Sequence, residues 1–245
     1  MLIPLINAHA HNDYAQPHPL RGSLERGFCS IEADVFLVDG ALLVGHDRKD
    51  LKPEKTLVDM YLKPLAEEVR THGGTVYGTK QEVLLLVDIK ANGKEAYEQL
   101  QKDLKPFHSF LSGFRRGRTV QQAVKVILSG DRPIQEVAAQ KERFVFIDGR
   151  TENLGGDPNL YPLISESFLP RFKYLGTGAF GDSNSKTLTD FVSKAHASKQ
   201  LVRFWATPET PTMWSILFDH KVDLIGTDKQ ADLASFLTSQ LKLKR

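Results

Sequence analysis

The acids, histidines and cations of this sequence fall at spacings that chemistry can use. Glu32 and Asp34 stand two residues apart in the β-rich run CSIEADVFLV. Side chains alternate along a strand, so both carboxylates leave it on the same side. Asp88 closes a second apolar run, VLLLVDI, where an unpaired carboxylate is unfavourable. Carboxylates gathered at strand ends are costly unless they hold a hard cation, and oxygen donors favour Mg²⁺ or Ca²⁺ over zinc. His9 and His11 follow the first apolar run, and His46 follows the Glu32/Asp34 pair beyond an Asp39-Gly40 turn. Imidazole titrates near neutral pH, so two such histidines suit a general acid and a general base. Lys90 and Arg203 would make the surroundings of a cation a positive pocket for phosphate. Together these residues imply cleavage of a phosphodiester.

Such residues must be brought together by the elements that carry them. Apolar runs at 2–6, 30–37, 83–89, 124–128, 143–147, 201–205 and 222–226 read as strands, with a weak one at 173–175 and a hairpin extension at 41–44. Stretches 19–27, 57–70, 94–104, 134–140, 188–198, 212–220 and 232–241 read as helices, and 153–165 and 176–185 as loops. The continuous apolarity of 83–89 is that of a parallel strand buried on both faces. Strands alternating with helices over 245 residues, without internal repeat or linker, predict one α/β domain, a single (β/α)₈ TIM barrel spanning 1–245. An open doubly wound sheet is the alternative, but its G-x-G-x-x-G turn is replaced after strand one by His-Ala-His-Asn-Asp. In a barrel the residues at the C-terminal strand ends share one mouth. Here those include His9, His11, Asn12, Glu32, Asp34, Asp88, Lys90, Ser129, Asp131, Asp148, Arg150, Arg203, Trp205 and Asp228. Each alone has a plain structural reading, a rim histidine or a helix-capping aspartate. Their convergence points to a site.

Bulk properties narrow the partners. A hydrophobic share of 41% and a charged share of 25% are those of a chain with a full core. A net charge of +2 argues against nucleic acid as an obligate partner, and Arg115-Arg116-Gly117-Arg118 and the tail Lys242-Leu243-Lys244-Arg245 read as solvated surface. No run approaches the roughly 18 apolar residues of a membrane span. The lone cysteine, Cys29, rules out an internal disulfide and a cysteine-based zinc site, and beside an apolar run it reads as a buried, inert thiol. The chain opens abruptly on a core strand, so the compartment stays open, secreted or periplasmic if a leader has been removed. A monomer is expected.

The pattern resembles the glycerophosphodiester phosphodiesterase and phospholipase-C-like phosphodiesterase superfamily. The pieces that match are Ala8-His9, Ile31-Glu32-Ala33-Asp34-Val35, Leu43-Val44-Gly45-His46-Asp47, Leu86-Val87-Asp88-Ile89-Lys90, Val202-Arg203-Phe204-Trp205-Ala206 and Val222 to Asp228. The His-Asn-Asp-Tyr opening is most similar to a branch that includes the fungal "altered inheritance of mitochondria" protein 6 type. The resemblance implies a TIM barrel in which Glu32, Asp34 and Asp88 hold one divalent cation. It further implies that His46 and a strand-one histidine act as acid and base, that Lys90 contacts phosphate and that Trp205 walls the pocket. The substrate it implies is a glycerophosphodiester or a phospholipid, hence lipid metabolism.

There are departures. The usual His-Arg-Gly after strand one is here His9-Ala10-His11-Asn12, leaving Arg203 or Arg150 to replace the phosphate-binding arginine. The third acid is Asp88 where glycerophosphodiesterases commonly have Glu; the related sphingomyelinase D enzymes also use Asp there. The spacing His9-x-x-Asn12 also resembles that enzyme, which makes Asn12 a candidate substrate contact. His9 and His11 both remain candidates for the catalytic histidine. Two alternatives stand beside this reading. A metal-dependent amidohydrolase also carries His-x-His after strand one, but it needs histidines after strands five and six, where Asp148-Gly149-Arg150 and Gly176-Thr177-Gly178 stand. The other is an inactive barrel that binds a phosphorylated ligand.

Overall fold

The computed structural model describes residues 2–243; Met1 and, in the basic tail, Lys244 and Arg245 lie outside the described residues. Strands β1 (Leu5–Ala10), β2 (Phe28–Val38), β3 (Ala41–Val44), β4 (Val83–Ile89), β5 (Gly113–Arg115), β6 (Arg118–Val120), β7 (Val124–Gly130), β8 (Val145–Gly149), β9 (Leu163–Ser167), β10 (Leu201–Trp205) and β11 (Leu224–Thr227) follow in chain order. Helices α1 (Arg21–Glu25), α2 (Lys63–Thr71), α3 (Gly93–Leu104), α4 (Ile134–Ala138), α5 (Phe168–Phe172), α6 (Asp182–Ala197), α7 (Pro211–Asp219) and α8 (Gln230–Leu243) lie between and after them. The sheet runs β1-β11-β10-β9-β8-β7-β4-β2 and closes through β1–β2, all parallel, so the chain is a closed eight-stranded parallel barrel with helices around it. β3 folds back on β2 as an antiparallel hairpin, and β5 and β6 form a small separate ribbon.

The apolar patterns account for this closure. β4 is apolar along almost its whole length because one face meets the lumen and the other the helices. The lumen is filled by Leu84, Leu86, Ile127, Phe146, Leu163 and Leu224, which pack together as a plug. The hairpin turn has left-handed Asp39 and Gly40 (φ 48° and 78°), the pair of positive φ values that a two-residue turn needs to follow the strand twist.

Two expectations are corrected here. The sixth barrel strand is Leu163–Ser167, which begins within the stretch 153–165 read as loop and runs past its end, whereas 173–175 follows the short helix α5 with Lys173 left-handed at φ 50°. Five residues hemmed by Pro162 and broken by Glu166 carry too little alternation to show in the sequence; pairing with β10 over Leu163 to Ser167 is what extends them. The first strand is displaced too. It spans Leu5–Ala10 because Ala8, His9 and Ala10 pair with Ile225, Gly226 and Thr227 of β11, which puts His9 inside the barrel wall.

Candidate active site

The ladder registers bring the acids together. Asp34 on β2 lies opposite Asp88 on β4, and Glu32 lies one inward-facing position below Asp34. Ligand-type oxygens of Glu32, Asp34 and Asp88 all fall within 4.8 Å of one another; the first two residues are buried and Asp88 is half-buried. Lys90 Nζ stands 2.8 Å from Asp34 Oδ2 and 3.0 Å from Asp88 Oδ1. Arg203 Nη2 stands 2.6 Å from Glu32 Oε2. Three carboxylates therefore face two permanent cations, which leaves a negative charge in excess together with the oxygen donors that a hard divalent ion prefers. The donor set fits such an ion.

The surroundings tune each group. Burial pushes the Glu32 carboxyl up, but the Arg203 charge and the His9 hydrogen bond outweigh it and hold the group well below the usual carboxylate range. Burial raises the Asp88 carboxyl against the pull of Lys90, with Glu32 and Asp34 adding to the rise. Burial works to lower Lys90, yet its contacts with Asp34 and Asp88 prevail and keep its ammonium firmly charged.

The histidines are held in three different ways. His9 is fully buried, with Nδ1 2.8 Å from Ser30 Oγ and Nε2 2.9 Å from Glu32 Oε2. Burial, reinforced by the Arg203 charge, lowers it to about 4, so at neutral pH Nε2–H donates to Glu32 and Nδ1 accepts from the Ser30 hydroxyl. His11 is half-exposed at the mouth, where Nδ1 donates to Asp228 Oδ1 at 2.8 Å and Nε2 has no partner among the described residues. His46, just past β3, is exposed, with Nδ1 3.1 Å from Asp34 Oδ2 and Nε2 likewise unengaged.

The other expected residues are also placed. Asn12, in a left-handed conformation (φ 47°), reaches Asp228 with Nδ2 at 3.3 Å and so braces the support of His11. Arg203 is buried against Glu32. Trp205 lines a small cleft of about 100 Å³ at the mouth, shared with His11, Arg203 and Glu209. Two residues escaped sequence reasoning. One is Ser30, which fixes the His9 ring. The other is Tyr14, whose hydroxyl lies 2.7 Å from both Asn12 Oδ1 and Asp34 Oδ2 and 3.3 Å from His46 Nδ1. The only signal for Tyr14 was its place in the polar turn after strand one. Neither Asp148-Gly149 at the end of β8 nor Ser167 at the end of β9 supplies the histidine that an amidohydrolase site needs. A concavity of about 550 Å³ opens at the opposite end of the barrel, between Ile3–Asn7 and the apolar flanks of α7 and α8.

Residues 2–148 match the family model of the AIM6-like phosphodiesterase domain, a span that holds the acids, the three histidines and Lys90. The chain belongs to that family. It is similar to the altered inheritance of mitochondria protein 6 homolog of Arthroderma benhamiae, at 28% identity over 91% of this chain and 81% of that one. It is also similar to altered inheritance of mitochondria protein 6 of Eremothecium gossypii, at 29% identity over 95% of this chain and 69% of that one. Among solved structures, a glycerophosphodiester phosphodiesterase from Parabacteroides distasonis superposes with a TM-score of 0.61 at 15% identity, covering 96% of this chain and 98% of that one. A phosphodiesterase from Oleispira antarctica, in complex with the product sn-glycerol-3-phosphate, superposes with a TM-score of 0.58 at 14% identity over 94% and 96%. These likenesses show that the AIM6-like domain has the TIM-barrel fold of the glycerophosphodiester phosphodiesterases.

Proposed function

We infer that this AIM6-like domain is a metal-dependent phosphoric diester hydrolase acting on a glycerophosphodiester or phospholipid-type substrate. The observation that carries the reading is the buried acid cluster at the barrel mouth, flanked by Lys90 and by two histidines that each keep a free ring nitrogen. Glu32, Asp34 and Asp88 would hold the cation, Mg²⁺ or Ca²⁺, which when bound supplies charge to polarise the phosphoryl oxygens. Lys90 adds a cation beside that position.

His11 and His46 are the acid/base pair in this account. One removes the proton from the attacking oxygen, and the other gives a proton to the alkoxide that leaves. His11 is favoured over His9 because Asp228 fixes its Nδ1 and leaves Nε2 to exchange protons, whereas both nitrogens of His9 are engaged inside the wall. His9 then positions Glu32. Arg203, committed to Glu32, supports the metal site from below rather than gripping the phosphate. Trp205 walls the substrate cleft and Asn12 steadies the Asp228–His11 contact.

The test is a substrate panel of glycerophosphodiesters, lysophospholipids, phosphatidylinositol and bis(4-nitrophenyl) phosphate, with Mg²⁺, Ca²⁺, Zn²⁺ or EDTA. Turnover of a phosphodiester with Mg²⁺ or Ca²⁺ is expected. Amide hydrolysis with zinc, or binding of phosphorylated ligands without any turnover, would replace this reading with one of its alternatives.

A further inference from the structure

Beside the acid cluster on the same rim, the ends of β7, β8 and β10 build a second charged feature. Asp148 is fully buried; its Oδ2 accepts from Ser129 Oγ at 2.9 Å and from Arg150 Nη1 at 2.8 Å. The same Nη1 lies 3.2 Å and 3.0 Å from the carbonyl oxygens of Asp148 and Gly149. This side of the guanidinium is locked. Its Nη2 keeps only a long 3.5 Å contact with Ser129 Oγ. Ser129 pairs with Asp88 in the β4–β7 ladder, so Arg150 reaches to within one strand of the acid cluster while remaining offset from it.

Two neighbours complete the feature. The guanidinium carbon of Arg150 sits 4.9 Å from the Trp205 ring centroid, over its face. Arg132 donates Nε to Gly130 O at 3.2 Å and Nη1 to Asp148 O, which brings a second guanidinium to the same rim. Arg150 thus pairs with the buried Asp148 carboxylate and Arg132 with the backbone carbonyl of the same residue, with the exposed Glu152 outside. The aromatic face that could otherwise attract a quaternary ammonium group is already covered by a cation.

We propose that Arg150, backed by Arg132 and Trp205, forms a headgroup subsite that selects substrates whose second ester carries an anionic group and disfavours quaternary ammonium headgroups. The proposal rests on the phosphodiesterase reading for its context. The locked Nη1 fixes the fork, so Nη2 is presented to a carboxylate or phosphate oxygen without further ordering of the side chain. A trimethylammonium group in the same place would meet two like charges, and the Trp205 face beside them is already taken by Arg150.

Calorimetric binding of two probes of similar size, 3-phosphoglycerate and phosphocholine, in the presence of Mg²⁺ tests the subsite without requiring turnover. The wild-type protein is expected to bind 3-phosphoglycerate about tenfold tighter or more. In Arg150→Met that ratio should collapse to within about twofold, and in Arg150→Lys, which keeps charge but loses the fork, it should be intermediate. Equal or tighter binding of phosphocholine by the wild type, no binding of either probe, or an unchanged ratio in Arg150→Met would overturn the proposal. Turnover of bis(4-nitrophenyl) phosphate is measured in parallel. Its absence would strike the phosphodiesterase reading, whereas the probe ratio alone decides the subsite.

Discussion

How an imidazole is held decides what it can do. His9 spends both nitrogens on Ser30 and Glu32 inside the wall, while His11 and His46 are each anchored through Nδ1 to a carboxylate and keep Nε2 available. Replacing His11 or His46 by Ala should therefore lower kcat by about 10²–10⁴-fold with little change in the urea midpoint. His9→Ala should instead cost about 1–3 kcal/mol of stability, because it strips Glu32 and Ser30 of a buried partner. Equal stability losses in all three variants would contradict the division. Cys29 offers a second check at this scale. It is buried, and burial pushes its thiol up to about 12, so a disulfide reagent at mildly alkaline pH should label it only once the chain is unfolded. Rapid labelling of the native protein would show the strand end to be open. Much of this chemistry was legible in the residues. Period-two spacing put Glu32 and Asp34 on one side, and the odd acid in VLLLVDI marked Asp88. The choice between His9 and His11 was not, since it depends on which residue the wall encloses and on Asp228 arriving from the far end of the chain. Tyr14 was hidden for the same reason: its acceptors come together only on folding.

At the scale of elements, the strand ends are kept in place by close backbone approaches. Gly130, at the end of β7, has φ +69°, and a Cβ there would collide with the Ile89 carbonyl and the Asp88 carboxylate. Gly130→Ala should destabilise the protein by about 1–3 kcal/mol, read from the urea midpoint, and should weaken cation affinity by displacing Asp88. A fully stable variant with unaltered cation binding would mean that Asp88 is not held from this side. Asp131, the next residue, accepts from the Gly93 amide at 2.8 Å and so ties the start of α3 to the β7 loop. The element pattern was readable wherever alternation or a long apolar run was strong, as in β4, whose bounds coincide with the predicted 83–89. It failed at β9, whose five residues depend on β10 for their extension, and at β1, whose polar end joins the ladder only because β2 and β11 flank it.

At the scale of the whole molecule, barrel closure makes distant sequence segments neighbours. Glu32 and Arg203 meet at 2.6 Å across 171 residues, and His11 meets Asp228 across 217. A cation that binds only the closed barrel stabilises it by mass action, by about 2.7 kcal/mol at about a hundredfold excess over Kd. For a chain of this size that shift is on the order of 5–10 °C in Tm, and it should vanish in Asp34→Asn and Asp88→Asn. A shift that persists in both variants would place the ion elsewhere. Among the described residues no helix is long and apolar enough to cross a membrane.

The central claim is that the Glu32–Asp34–Asp88 cluster and its paired histidines cleave a phosphodiester. The most direct measurement is the initial rate on bis(4-nitrophenyl) phosphate for the wild type, Asp88→Asn and His46→Ala, with Mg²⁺ or Ca²⁺, then with EDTA, then with the cation restored. The account predicts a wild-type rate that EDTA abolishes and the cation restores, with both variants lower by about 10²-fold or more. A rate that survives EDTA, or that His46→Ala leaves intact, would contradict it.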